Sequence, residues 1–159
     1  MPDDVTATRG FKRAEIAKDA AFFKLRAPLP DQGRMDTEVA RTETFSARVK
    51  VYASGGENTL HCHTSEDHLF VVLQGKVRFY DKDGGTVDLG KNEGVMRPAK
   101  TYYWFEATST EPLVMLRVGA RAGKPAGDDR LNIRGEPMAG DSEENKSVPV
   151  IVRENAFFE

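Results

Sequence analysis

All three histidines of the chain lie within His61-Cys62-His63-Thr64-Ser65-Glu66-Asp67-His68, and neutral imidazole is the commonest side-chain ligand for a metal ion. Alternation along a strand turns His61 and His63 to one face and Cys62 and Thr64 to the other. Thr64-Ser65-Glu66-Asp67 is polar and about the length of a common hairpin loop, so His68 is expected to open the returning strand beside His63. Three imidazoles then converge on one ion. The competing reading is a surface grouping without function, since histidine is often half exposed. Cys62, turned away from the ligands, reads as a small buried residue rather than a nucleophile.

Three neutral imidazoles suit Fe, Zn, Ni or Cu, and they leave the charge of a divalent transition metal uncompensated, which favours an anionic substrate. Three protein ligands also leave positions open for substrate and O2. Glu66 and Asp67 are secondary candidates, either as a carboxylate ligand or as partners that orient an imidazole through its second nitrogen.

Strands must carry this site. From Thr42 the texture is that of short strands between turns, read at Thr44–Ala53, Thr59–His63, His68–Leu73, Val77–Asp81, Thr86–Leu89, Gly94–Arg97, Thr101–Ala107 and Leu113–Val118. Short strands at this spacing fit a sandwich or barrel. Lys82-Asp83-Gly84-Gly85 marks a hairpin, because glycine accepts the positive φ of such turns. Ahead of them, residues 11–26 contain good helix formers and place Ile16, Ala20 and Phe23 at helical spacing, which predicts a short amphipathic helix. Pro28, Pro30 and Gly33 then break regularity. The expected organisation is an N-terminal arm with that helix over 1–41, a β-barrel over 42–119 and a C-terminal extension over 120–159. Apolar character returns in that extension at Val148–Val152 and Ala156–Phe158, so it is expected to pack on the barrel or on a second subunit, giving a homodimer.

At 159 residues the chain suits one domain with extensions. A net charge of -2, with Lys and Arg spread along the chain, provides no footprint for nucleic acid. Short, interrupted apolar runs and the hydrophilic start Met1-Pro2-Asp3-Asp4 argue against a membrane span or a signal peptide. A single cysteine fits a reducing, cytoplasmic setting.

The spacing Gly55, His61, His63, His68, Gly75 resembles the first motif of the cupin superfamily, with His68 in the place of the family glutamate. Asn92-Glu93-Gly94-Val95-Met96-Arg97-Pro98-Ala99-Lys100-Thr101-Tyr102-Tyr103 resembles the second motif. Pro98 matches there, Asn92 and Lys100 replace glycines, and Tyr103 stands where the last metal-binding histidine is expected. The resemblance covers about Val49 to Val118 and implies an all-β double-stranded β-helix, a jelly-roll barrel, with His61, His63 and His68 as metal ligands and Tyr103 near the metal.

Tyr103 has three readings: a phenolate ligand, a phenol that gives a hydrogen bond or proton to substrate, or an aromatic filling the place of the absent histidine. Alternation brings Phe105 in beside Tyr103, and Phe70 and Val72 in beside His68. Phe70 and Phe105 are therefore candidate substrate-binding wall residues, with plain core packing as the alternative. Arg117, inside the apolar run Leu113–Val118, is either a buried anion-binding group or the exposed end of a strand. Arg48 and Lys50 share a strand face that is either interior or solvated. The leading functional reading is a metal-dependent enzyme acting on a small oxygen-bearing organic substrate, an O2-dependent dioxygenase first. A metal-dependent lyase or isomerase needs the same ligands, and a non-catalytic small-molecule-binding protein would keep the barrel alone.

Overall fold

The protein is described here by a computed structural model covering residues 11–53, 58–121, 129–140 and 142–159. Its described elements are β1 (Phe11–Lys12), β2 (Ala27–Gln32), β3 (Arg34–Arg41), β4 (Phe45–Tyr52), β5 (His61–His63), β6 (Glu66–Gln74) and β7 (Val77–Asp81), followed by β8 (Thr86–Leu89), β9 (Gly94–Arg97), β10 (Tyr103–Ala107), β11 (Leu113–Arg121), β12 (Arg130–Asn132) and β13 (Ile151–Phe158). One sheet runs β1-β3-β4-β11-β6-β9, the second β12-β5-β10-β7-β8, and β13 pairs with β2 as a separate ribbon. The all-β jelly-roll architecture expected from the sequence is what is found. The eight strands read from alternation correspond to β4–β11, and β7, β8 and β9 coincide with them residue for residue.

Alternation sorts the side chains into an inner and an outer layer. Arg48, Lys50 and Tyr52 of β4 stand opposite Arg117, Met115 and Leu113 of β11, and directly paired residues share a face. That face looks into the barrel, where Tyr52, Phe70, Val72, Val77, Phe79, Tyr103, Phe105, Leu113 and Met115 form the core. The opposite face, Met35, Val49, Val51 and Val114, is covered by Ala27 of β2, with Leu29, Val150 and Phe158 packed against the cluster. Each fully buried side chain of this kind contributes about 1.5–3 kcal/mol relative to exposure. The barrel interior therefore grades from an apolar end, at Tyr52 and Leu113, to a polar end, at Arg48, Arg117 and the histidines.

Two expectations are corrected. The short N-terminal helix over residues 11–26 is absent. Phe11–Lys12 instead pair in parallel with Asp36 and Thr37 of β3, and Ile16 bridges Arg41. The edge of β3 offers unpaired backbone, and Arg41 Nε donates to the Ala14 carbonyl at 2.8 Å. With that edge available, extended pairing wins over helix propensity, and the stripe meant for a core stays out, with Ile16 41% and Phe23 51% exposed. The second correction concerns Thr64–Asp67, which does not close a hairpin: β5 and β6 belong to different sheets. Thr64 and Ser65 alone carry the chain from one sheet to the other, and His68 still lies beside His63.

Asn92 and Lys100, the two positions where glycine was expected, both keep left-handed backbone, with φ of 69° and 70°. Gly55, of the first motif, lies outside the described residues. Lys100 closes the turn that supports the histidine strand, its N–H donating to the His63 carbonyl at 2.6 Å. Lys100→Gly is therefore expected to raise stability by up to about 1 kcal/mol, read as a higher urea midpoint with an unchanged slope. Left-handed backbone costs a residue with a Cβ roughly 1–2 kcal/mol, and the greater unfolded-state freedom of glycine returns part of that. Among the described residues no helix is long and apolar enough to cross a membrane.

Candidate functional site

The three histidines meet at the polar end of the barrel. The ring of His63 lies 5.1 Å from that of His61 and 4.2 Å from that of His68, and Tyr103 sits 4.6 Å from His61. All four are buried, His61 and His68 at 2% exposure. His61 and His63 owe their common face to β5, whose neighbours are β10 and β12; Tyr103 pairs directly with His61.

Hydrogen bonds fix the tautomers of two rings. His61 Nδ1 lies 2.6 Å from the Thr59 carbonyl, which can only accept, so Nδ1 carries the proton and Nε2 the lone pair. His63 Nδ1 donates to Asp129 Oδ2 at 2.9 Å, with the same consequence. On His68 the order is reversed: Nε2 lies 3.0 Å from Glu66 Oε1 and 3.1 Å from Arg117 Nη1, whereas Nδ1 is buried without a partner among the described residues. With Nε2–H given to the carboxylate, the lone pair falls on Nδ1, and Arg117 Nη1, itself only a donor, makes no hydrogen bond to Nε2. Burial keeps all three rings neutral, pulling His61 down to about 2, His68 to about 3 and His63 in the same direction.

The carboxylates behave oppositely. Burial alone would raise Glu66, but the hydrogen bond from His68 and the charge of Arg117 outweigh it and hold the group at about 2. Asp129 is likewise held well below the usual range, as bonds from His63 and Ser65 overcome its burial. Tyr103 is pushed up to about 12, chiefly by burial, so its phenol stays protonated at neutral pH.

A transition-metal ion fits this donor set in kind. Each imidazole has one nitrogen tethered and one lone pair without a protein partner, the arrangement that outer partners impose on ligand histidines, and the orphaned Nδ1 of His68 is a buried donor with nothing to bind. In placement the set is incomplete: among the described residues no three His, Cys, Asp or Glu side chains already surround a single ion position. Binding by all three rings therefore entails reorientation of at least one.

The remaining candidates separate. Arg117 is interior, 7% exposed, and reaches His68. Arg48 also faces inward, paired to Asp36 Oδ2 and Glu38 Oε2, both at 3.1 Å. Phe70 and Phe105 pack in the apolar core, with Phe70 6.1 Å from His68, and neither lines the cavity of about 270 Å³ that opens beside His63 and His68. Of the acidic loop pair, Glu66 orients His68, while Asp67 accepts from the Ala99 N–H outside the cluster. Sequence reasoning missed Asp129 and Arg130. They lie in a long polar stretch, where the weak alternation Arg130-Leu131-Asn132 was the only signal of β12, which lays Arg130 opposite His63.

Residues 48–119 match the family model described as a cupin domain. No curated protein matches the sequence significantly. Among solved structures, the cupin domain of Cnp3 from Schizosaccharomyces pombe is 20% identical with a TM-score of 0.52, over 56% of this chain and 65% of that one. The chain thus spans just under two thirds of that structure's length. An uncharacterised protein with a double-stranded β-helix domain from Klebsiella pneumoniae gives 15% identity and a TM-score of 0.57, over 67% and 95%. KdgF from Halomonas sp. gives 23% and 0.50, over 57% and 81%. At these identities the likeness is one of fold. Together with the domain match, it shows that residues 48–119 form a cupin domain.

Proposed function

We propose that the protein is a metal-dependent enzyme acting on a small oxygen-bearing organic molecule, with His61, His63 and His68 as ligands of a divalent transition metal. The observation that supports this most directly is the tautomer pattern: three buried neutral imidazoles, each tethered through one nitrogen and presenting an unused lone pair. Fe, Zn, Ni and Cu all accept such donors. When bound, the ion supplies Lewis acidity and open coordination positions. The chain's own groups do the rest. Thr59, Asp129 and Glu66 hold the ring protons away from the ligand nitrogens. Phe79 and Phe105 close the inner end of the barrel to water, and Tyr103 presents a protonated phenol beside His61.

Oxidation by O2 is the first reading for the reaction, since it needs only the ion and its open positions. The protonated state of Tyr103 favours a second, lyase or isomerase chemistry, in which a phenol at this position gives its proton to the substrate. Turnover of a panel of small hydroxy and keto compounds in air and under argon separates the two, because product formed without O2 excludes the dioxygenase. Tyr103→Phe is expected to retain metal and lower kcat by about 10²–10⁴-fold if the phenol is the acid. Unchanged kcat would return Tyr103 to a packing role.

A further inference from the structure

We infer that the cavity beside the histidines is a binding site for the carboxylate of a small organic monoanion, held by Arg117 and Arg130. This deepens the proposed function and rests on its reading that the cavity receives a small substrate.

Charge and hydrogen-bond supply both point there. The cavity lining carries three guanidiniums, Arg48, Arg117 and Arg130, against two carboxylates, Glu66 and Asp129. Arg121 also pairs with Glu66. With the imidazoles neutral and Arg48 matched by carboxylates of its own, Arg117, Arg121 and Arg130 face Glu66 and Asp129, and one positive charge is in excess. Arg48 has its own partners in Asp36 and Glu38. Among the described residues Arg117 has no carboxylate within hydrogen-bond distance, only the Ser46 hydroxyl, which accepts from its Nη2 at 3.3 Å. Arg117 Nη2 stands 3.6 Å from Glu66 Oε1, longer than a charge-assisted bond, and Glu66 Oε2 is already taken by Arg121 at 3.0 Å. Arg117 Nε and Arg130 Nε are both buried without a hydrogen-bond partner among the described residues, and no described side chain forms an ion pair with Arg130. Burying guanidinium groups so poorly partnered is costly unless something else completes them.

The fold makes room for these two groups. A Cβ at Gly140 would overlap Arg130 Nη1 and lie 3.1 Å from its Cζ, and a Cβ at Gly119 would overlap Glu66 Oε1 and lie 3.3 Å from Arg117 Nη2. Glycine at both positions lets the guanidiniums approach the cavity. Met138 and Ala139 complete the lining with an apolar surface, which suits the carbon skeleton of an organic acid. A planar carboxylate matches the guanidinium fork, and one negative charge matches the excess, whereas a dianion would overshoot it.

The test is calorimetric titration of propionate, propionamide and inorganic phosphate into the full chain, as purified and after chelator treatment. Propionate is expected to bind about tenfold or more tightly than propionamide, more tightly than phosphate, and to keep binding after chelation. Arg130→Met is expected to weaken propionate about tenfold or more while leaving the melting temperature of the free protein unchanged or higher, because it removes an unpaired buried charge. Arg130→Lys, which keeps the charge without the fork, should fall between. Equal binding of acid and amide, tighter binding of phosphate, loss of binding on chelation, or an Arg130→Met protein of unaltered affinity would each overturn the inference. A His61→Ala protein that keeps its metal would overturn the proposed function alone, since propionate binding that depends on Arg130 would still stand.

Discussion

His63→Ala is expected to leave the purified protein without stoichiometric metal and without turnover. His63 is the ring that both others approach, at 5.1 and 4.2 Å, and the one of the three that presents its lone pair while lining the cavity through β5. Its removal deletes a ligand outright and leaves the Asp129 carboxylate, still bonded to Ser65 at 2.9 Å through the backbone and 2.7 Å through the hydroxyl and to the Thr64 hydroxyl at 3.4 Å, without its imidazole. Loss of an outer partner of a ligand histidine commonly lowers metal affinity about 10–100-fold. Asp129→Asn is expected in that range, and His63→Ala beyond it. Metal analysis of untagged protein, with circular dichroism to show that the strands persist, ranks wild type above Asp129→Asn above His63→Ala. Should His63→Ala retain as much metal as the wild type, the histidine cluster has no part in binding an ion.

Much of the inner barrel was legible because its alternation is that of an ordinary half-buried strand. Val77–Asp81 and Gly94–Arg97 show this, as does the turn at Lys82–Gly85, where Asp81 Oδ1 accepts from the N–H groups of Asp83 and Gly85. What escaped sequence reasoning has the opposite polarity. In β3, Met35 and Thr37 face the outer layer while Arg34, Asp36 and Glu38 face inward, so the charged side of the strand is the interior side. Without knowing that β2 would cover the outer face, Arg34–Arg41 reads as a polar segment. Pro28 and Pro30 concealed β2 in the same way. Its pairing with β13 is interrupted by register shifts, which is the kind of edge where proline is tolerated.

The same inversion explains the ambiguity of the site. Arg117 and Arg48 lie directly opposite each other on β11 and β4, yet a strand cation gives no sign of its face until the partner carboxylates are placed. Those partners are distant in sequence: Asp36 and Glu38 come from β3, and Asp129 from the segment just ahead of β12. The histidines, by contrast, are local, eight residues end to end, so their cluster could be read directly. Only the route between His63 and His68 was misjudged, since loop length alone does not distinguish a hairpin from a crossing between sheets.

Acid is expected to unfold the metal-free protein well before its carboxylates titrate. The three histidines are neutral in the fold, with His61 pulled to about 2 and His68 to about 3, whereas an exposed imidazole titrates near 6.5. Above 6.5 neither state binds these protons and the shifts contribute nothing. As pH falls below 6.5 the unfolded chain takes up protons that the folded chain refuses, so stability declines until the folded values are reached. Each such proton is worth about 1.4 kcal/mol per pH unit, so His61 and His68 give a slope of about 3 kcal/mol per unit, to which His63 adds in the same direction. By about pH 4.5 the loss from these two is about 5 kcal/mol, a large part of the 5–15 kcal/mol typical of a domain. Glu66 acts in the same direction but later. Its folded value of about 2 lies below the ordinary 4.5, so its stabilisation is intact above 4.5 and is lost between there and 2. Urea unfolding in half-unit steps from about pH 7.5 to about 4.5 isolates the histidine window. His68→Gln should remove up to about half of the slope, as one of the two strongly shifted rings is lost. A stability that stays flat across that window would mean that the folded protein accepts these protons, and the imidazoles could not then be the buried, neutral donors on which metal binding depends.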